Sequence, residues 1–303
     1  MEIARVRQQV RRFYDGGVPG RDQQPGLPPD PGQDPRIVLE RHTESGLESF
    51  SMERRIAYDD RHLGELLVPA DPDAFRTDLT SVPALFTWLV PKTGAHLPAA
   101  LLHDGLVQDP DEAASYVSTL GHRVDRVEAD RIFRDAMADT GTGVVRRWIV
   151  WSAVTLATLV LGRDLPWAAA TTWRYRGAVA LTVLGIVVLG YSAIADLFDL
   201  AWPATFELPW MGERPWWLEV VGGFAGAVTI PVALGLLWGR FRMAGAIVGV
   251  LLAVLLPVTL GLAAIAGSYL AVERAAAQWP MVTAGIAALV VAVSVVVTLA
   301  LSV

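Results

Sequence analysis

Hydrophobic and polar positions follow two regimes that meet near residue 147. Beyond it, apolar residues form long runs over 177–197, 216–238, 243–271 and 279–303. Each is long enough to cross a ~30 Å hydrocarbon core, which takes about 20 mostly apolar residues. None carries a charge near its middle, since Asp196, Glu219 and Glu273 lie at or just beyond the ends. Ahead of residue 147 the runs are short. Residues 37–41, 50–58 and 63–68 have alternating or β-branched character, and Asp59, Asp60 and Arg61 offer a hairpin turn between the second and third.

The period then changes to that of helices. Thr80 or Ser81 can cap a helix opening at Val82 and Pro83, which Pro91 and Gly94 end. A second helix starts around Leu97 and Pro98. A third covers 126–139, with Ala129, Ile132, Phe133, Ala136 and Met137 on one stripe and Gly141 as its C-terminal cap. Strands followed by helices predict an α+β domain. Residues 16–35 are dominated by Gly, Pro, Asp and Gln, and read as a flexible segment. The predicted organisation is an N-terminal arm and flexible segment over 1–35, a soluble α+β domain over 36–162, and an all-α transmembrane bundle of four helices over 163–303.

Residues 148–162 (WIVWSAVTLATLVLG) are the ambiguous piece. Fifteen residues are short for a span, and arginines flank both ends, so this stretch reads as an interfacial helix or the last helix of the soluble domain. The alternative, a fifth span, would require export of an acidic domain whose charged N-terminus lacks the apolar stretch of a signal peptide. Arg174 and Arg176 before the first run, and Arg240 and Arg242 between the second and third, place those loops on the cytoplasmic side. The loop over 200–215 is acidic and Trp-rich, and reads as external. Small-residue pairs at Gly222 and Gly226, Gly245 and Gly249, and Ala263 and Gly267 allow close helix packing, with the first pair expected to face the last.

Charge sharpens this division. Residues 148–303 hold seven of the 25 basic and seven of the 31 acidic side chains, so the net charge of -6 belongs to the soluble part. An acidic domain lacks the clustered cations that nucleic acid requires. The spans lack internal charges of the kind that mark ion or proton pathways, which weighs against a proton-coupled transporter or ion channel. With no cysteine, disulfides and cysteine-based zinc sites are excluded.

The candidate chemistry sits in three clusters: Thr77 to Pro83, His103-Asp104-Gly105, and Glu128-Ala129-Asp130. His103 and Asp104 lie on an otherwise apolar helix, so both are expected to have partners. Asp130 borders its own apolar stripe and could point to the same place. A histidine with several carboxylates can hold a divalent metal or position a water for acid–base hydrolysis. Asp78, His103, Asp104 and Asp130 are therefore the candidate catalytic residues, and the candidate ligands of a divalent metal cofactor. The structural alternative is equally concrete: Asp78 in a turn, Asp104 beside His103 holding a helix end, and Glu128–Arg131 and Asp130–Arg134 as surface ion pairs. His96 and His122 fall in expected loops and carry no such signal. No phosphate loop, dinucleotide fingerprint, HExxH or GxSxG element is present.

Three ordered motifs, VPADPDAFRTDLTSVP (68–83), HLPAALLHDGLV (96–107) and RVEADRIFRDAM (126–137), resemble a small bacterial and phage family, domain of unknown function 1353. The resemblance maps onto Thr77, Asp78, Ser81, Pro83, His103, Asp104, Ala129, Asp130 and Phe133. It also implies a following helix matching 143–151. This chain departs from the short form through its Pro-rich N-terminal segment, a longer stretch between Asp109 and Val124, and the apolar half. The resemblance implies a domain without implying a reaction. The expectation is a multi-pass protein of the cell membrane with a cytoplasmic binding or scaffold domain. Its partners would be the bilayer and a protein or second copy met through the membrane helices, with no nucleic acid. A membrane-tethered hydrolase is the rival.

Overall fold

A period of two organises the sheet. In strands β4 (Ile56–Asp60) and β5 (Gly64–Val68), Ile56, Tyr58, Leu66 and Val68 are fully buried on one face and enter the main core. Ala57 and Leu67 point the other way and join Tyr14 in a smaller cluster. These strands belong to an antiparallel sheet of order β1-β4-β5-β6, with β1 at Phe13–Asp15 and β6 at Val117–Ser118. Strands β2 (Leu39–Glu44) and β3 (Leu47–Met52) form a separate hairpin, in which Glu40 faces Ser51 and His42 faces Ser49. The computed structural model describes residues 11–20, 25–44, 47–79, 93–107, 115–163 and 165–279, with residues 281, 285 and 288.

Two sequence expectations change here. The strand expected over 50–58 is two strands in different sheets. Between them Arg54 pairs with Asp15, and the Arg55 guanidinium donates to the carbonyls of Pro69 and Ala70, so local side chains turn the chain. The turn also shifts. Asp59 and Asp60 remain in β4, and the Asp60 carboxylate accepts the N–H groups of His62 and Leu63 at 2.9 and 3.0 Å. The described residues of 16–35 carry backbone pairing of their own. Val18 and Leu27 exchange backbone hydrogen bonds at 3.0 and 2.9 Å, and Asp30 donates to the Asp15 carbonyl at 2.8 Å.

The helices follow the predicted stripes. Helix α1 is Leu97–Leu106, with Pro98 in its first turn, and α2 is Arg126–Asp139. Asp125 caps α2 by accepting from Val127 and Glu128 at 2.9 Å. At its other end Gly141 has φ 75°, and Gly141 and Thr142 donate back to Ala138 and Met137, closing the helix as expected. Ala129, Ile132, Phe133, Ala136 and Met137 are all buried. The helix expected from Val82 lies outside the described residues.

Helix α3, Val144–Leu161, serves two clusters. Val150 and Trp151 enter the α+β core, whereas Leu159 joins Tyr175, Ala178, Val179, Trp238 and Phe241. Helix α4 (Ala169–Leu197) starts two turns earlier than the expected run, so it includes Arg174 and Arg176. Helix α5 (Trp216–Gly235) passes through a 3₁₀ turn, Leu236–Phe241, into α6 (Arg242–Gln278), and Gly239 at φ 57° makes the break between them. A Cβ on Gly235 would lie 2.5 Å from the Ala246 nitrogen, and one on Gly249 would lie 2.8 Å from Pro231, so α5 and the start of α6 touch almost backbone to backbone.

The Gly222–Gly226 pair departs from its expected role. A Cβ on Gly222 would meet the Trp210 carbonyl oxygen at 2.1 Å, and one on Gly226 the Trp210 indole nitrogen at 2.8 Å. The loop tryptophan occupies the small-residue face, because Leu208 and Met211 are buried and anchor the loop beside it.

Among the described residues, Val144–Leu161, Ala169–Leu197 and Trp216–Leu255 are long and apolar enough to cross a membrane, the last being two helices joined at Gly239. The run over 279–303 lies almost wholly outside the described residues. By contacts the chain falls into two units, Met1–Val254 and Leu255–Val303. The first holds the α+β layer and the helices through the start of α6. In the second, α6 continues to Gln278 with Ile265, Tyr269 and Val272 exposed.

Candidate functional site

The His103-Asp104-Gly105 triplet lies in the last turn of α1. Successive side chains on a helix diverge by about 100°, so three in a row cannot share one target. His103 turns to α2, and its Nε2 lies 2.9 Å from Asp130 Oδ1 while its ring stacks on Phe133 at 4.7 Å. Asp104 turns to the segment after β5, where it accepts a hydrogen bond from the Thr77 hydroxyl. Thr77 Oγ1 in turn accepts the Leu79 N–H at 2.8 Å, and its backbone bridges to Phe50. Gly105 faces β5, where an added Cβ would fall 2.3 Å from Val68 Cγ1. One triplet thus joins three neighbours.

Both polar side chains of α1 find the partners that burial requires. The His103–Asp130 pair is nearly enclosed, with side-chain exposures of 13% and 4%. Asp130 Oδ2 is buried with no hydrogen-bond partner among the described residues. Asp104 keeps part of its surface accessible, yet protein surrounds its carboxylate. Burial pushes its pKa up, the Thr77 hydrogen bond and the nearby His103 oppose this, and Asp78 adds to it. Asp78 itself is exposed.

The four candidates therefore divide. His103 meets Asp130, Asp104 meets Thr77, and the Asp78 charge bears on Asp104. Among the described residues, no group of three or more His, Asp or Glu side chains could hold a metal ion. Ser81 and Pro83 lie outside the described residues. Of the surface pairs weighed from sequence, Glu128–Arg131 forms at 2.8 Å, but Arg134 pairs with Asp135 instead, because Asp130 turns inward to His103. His96 lies in the turn before α1, as expected, and is fully buried there as the helix N-cap residue.

A feature missed from sequence lies at the β2–β3 hairpin. A cleft of about 430 Å³ is lined by Glu40, His42, Ser51, Glu53, Asp73 and Arg76, among others. His42 Nε2 lies 2.8 Å from Ser51 Oγ and 4.0 Å from Glu40 Oε2. A serine–histidine–acid relay needs serine on one ring nitrogen and the acid on the other. Here both meet Nε2, so the arrangement is not a nucleophile relay. Glu40 and His42 alternate along β2, and Ser51 and Glu53 along the next stretch. That period-two polarity was the available signal.

Residues 50–154 match a family described as a protein of unknown function (DUF1353). The match runs from the end of β3 into α3 and includes Thr77, His103, Asp104 and Asp130. No curated protein and no solved structure matches the chain.

Proposed function

We propose that the chain is a membrane-tethered binding module, in which an α+β domain is held at the bilayer by apolar helices. The observation that carries this reading is the three-way divergence of His103, Asp104 and Gly105 to α2, the Thr77 segment and β5. Groups spent on joining three elements act as a frame, whereas acid–base catalysis needs them converging on one reacting atom. The binding surface we assign is the cleft at the β2–β3 hairpin. Its lining carries more carboxylate than cation, which suits a partner segment or small ligand bearing positive charge. Placing the module on the cytoplasmic side rests on the arginines at 174, 176, 240 and 242. Burial of Val150 and Trp151 in the α+β core supports α3 as the domain's closing helix.

A membrane-tethered hydrolase is the second reading, and one observation favours it: Asp130 orients His103 and keeps a buried oxygen without a partner among the described residues. Purified full-length chain, assayed on ester and phosphoester model substrates beside its Asp130→Asn variant, separates the two. The frame reading expects no turnover by wild type and a lowered melting temperature for the variant. Turnover that Asp130→Asn abolishes while the fold persists would overturn it. The tether is tested by carbonate washing of membranes, which should leave the chain in the pellet, and sidedness by a reporter fused after Asp139.

A further inference from the structure

Where α4 begins and α5 ends, three aromatic rings meet. Trp167 and Tyr175 lie 5.5 Å apart, Tyr175 and Phe241 5.4 Å, and Trp167 and Phe241 6.0 Å, centroid to centroid. Two guanidinium groups rest on this trio. Arg240 lies 4.6 Å from the Trp167 ring and 4.7 Å from Phe241, and Arg174 lies 4.9 Å from Tyr175. Both arginines are exposed. The ion pairs among the described residues all involve positions up to Asp139, so neither arginine has a carboxylate partner there. The nearby Arg176 is engaged differently, since it donates to the Leu159 and Gly162 carbonyls at the end of α3.

Stacking fixes the plane of a guanidinium while leaving its N–H edge free, so the entropy of ordering the side chain is spent before a ligand arrives. Two such groups held on one ring cluster supply N–H donors for a tetrahedral anion, whose oxygens arginine engages in pairs where a point charge does not. Their level on the helices selects the anion's source. Arg174 lies in the first turns of the apolar helix α4, beside the exposed Trp173, and Arg240 lies in the 3₁₀ break between the two apolar helices of Trp216–Leu255. Clustered cations at that level meet the anionic leaflet. From this we propose that Arg174 and Arg240, held on the Trp167, Tyr175 and Phe241 rings, bind the phosphate of an anionic lipid headgroup. The assignment rests on the membrane tether of the preceding section.

Native mass spectrometry of the full chain in neutral detergent tests it, with phosphatidylglycerol and phosphatidylcholine as probes. Wild type should retain phosphatidylglycerol preferentially, and the Arg174→Gln/Arg240→Gln variant should lose roughly tenfold of that preference. Arg41→Gln, remote on the β2 strand, should match wild type. A folded double variant with the wild-type preference overturns the proposal. If the double variant does not fold, Arg240→Gln alone carries the same test, because Arg240 is exposed in the 3₁₀ turn. Equal retention of glycerol phosphate, which has the headgroup chemistry without acyl chains, overturns the lipid assignment in favour of a soluble phosphate. Release of wild type by carbonate washing overturns the tether and this proposal together, whereas a retained chain without lipid preference overturns this proposal alone.

Discussion

Arg131 of α2 grips Asp60 at the end of β4 through two parallel hydrogen bonds, of 2.9 and 3.1 Å, and the Asp60 side chain has no exposed surface. The same carboxylate holds the turn through the N–H groups of His62 and Leu63. Arg131 also pairs with Glu128 and Asp135 at 2.8 and 3.2 Å, so removing the Asp60 charge costs its own hydrogen bonds without stranding the arginine, about 1–3 kcal/mol. Asp60→Asn should therefore destabilise the α+β domain by about 1–3 kcal/mol, read from denaturant unfolding of the full chain in detergent.

The same residue sets an acid limit. Burial alone would raise the Asp60 pKa, but the hydrogen bonds from Arg131, His62 and Leu63 outweigh it and hold the carboxyl below its ordinary value of about 3.9. A lowered folded-state pKa contributes stability that is present above the unfolded value and is lost as pH falls through the folded one. Thermal melts at decreasing pH should fall steeply below about pH 4. In Asp60→Asn this component of the fall should be missing.

Asp104 has the opposite sign. Its raised pKa means that the folded state favours the protonated form, so its stabilising contribution is present at low pH and disappears as pH rises through the folded value. Asp104→Asn keeps an acceptor for the Thr77 hydroxyl and removes the buried charge. The variant should melt at or above the wild-type temperature at pH 7, and the difference should close on acidification. A large loss at pH 7 would show that the charge itself is needed.

Gly105 sets how closely α1 approaches β5. A methyl group there would fall 2.3 Å from Val68 Cγ1. Overpacking of this kind costs about 1–3 kcal/mol, despite the helix propensity that alanine gains over glycine. Gly105→Ala should lower stability by that amount, and Gly105→Ala with Val68→Ala should recover part of it.

Trp210 seated on Gly222 and Gly226 gives a fifth prediction. The chain has no cysteine, so a single Met211→Cys reports on the loop without background. Met211 is 2% exposed, and its replacement should react slowly with a maleimide. Adding Gly222→Ala, whose Cβ would sit 2.1 Å from the Trp210 carbonyl oxygen, should lift the loop and speed labelling about tenfold, given an overpacking cost of ~1–3 kcal/mol.

These predictions divide by what sequence pattern could reach. The α2 stripe and its Gly141 stop were legible because local periodicity and capping decide them. So was the need for partners at His103 and Asp104, since an apolar helix makes isolated charges costly. Which partners they took was not legible. Asp130 and Asp104 each bond a residue 27 positions away, and Arg131 bonds Asp60 across 71. Convergence of the His103-Asp104-Gly105 triplet with Asp78 and Asp130 looked plausible as composition; helical geometry sends its members apart. The backbone pairing of 16–35 with β1 was not legible, because composition does not record hydrogen-bond partners. The cleft escaped notice because His42 and Ser51 meet diagonally across a hairpin whose register was unknown.

The core that receives Ile56, Tyr58 and Leu66 also contains Val150, Trp151 and Ala244. The last of these belongs to α6 and leaves the ribosome long after the strands have been made. At ~5–20 residues per second, the emerging α+β segment waits on the order of ten seconds for a residue that finishes its interior. Biogenesis of the N-terminal half is thereby tied to arrival of the hairpin of α5 and α6. A chain cut near residue 147 would release a domain with an open flank, prone to aggregation or chaperone capture rather than independent life in solution.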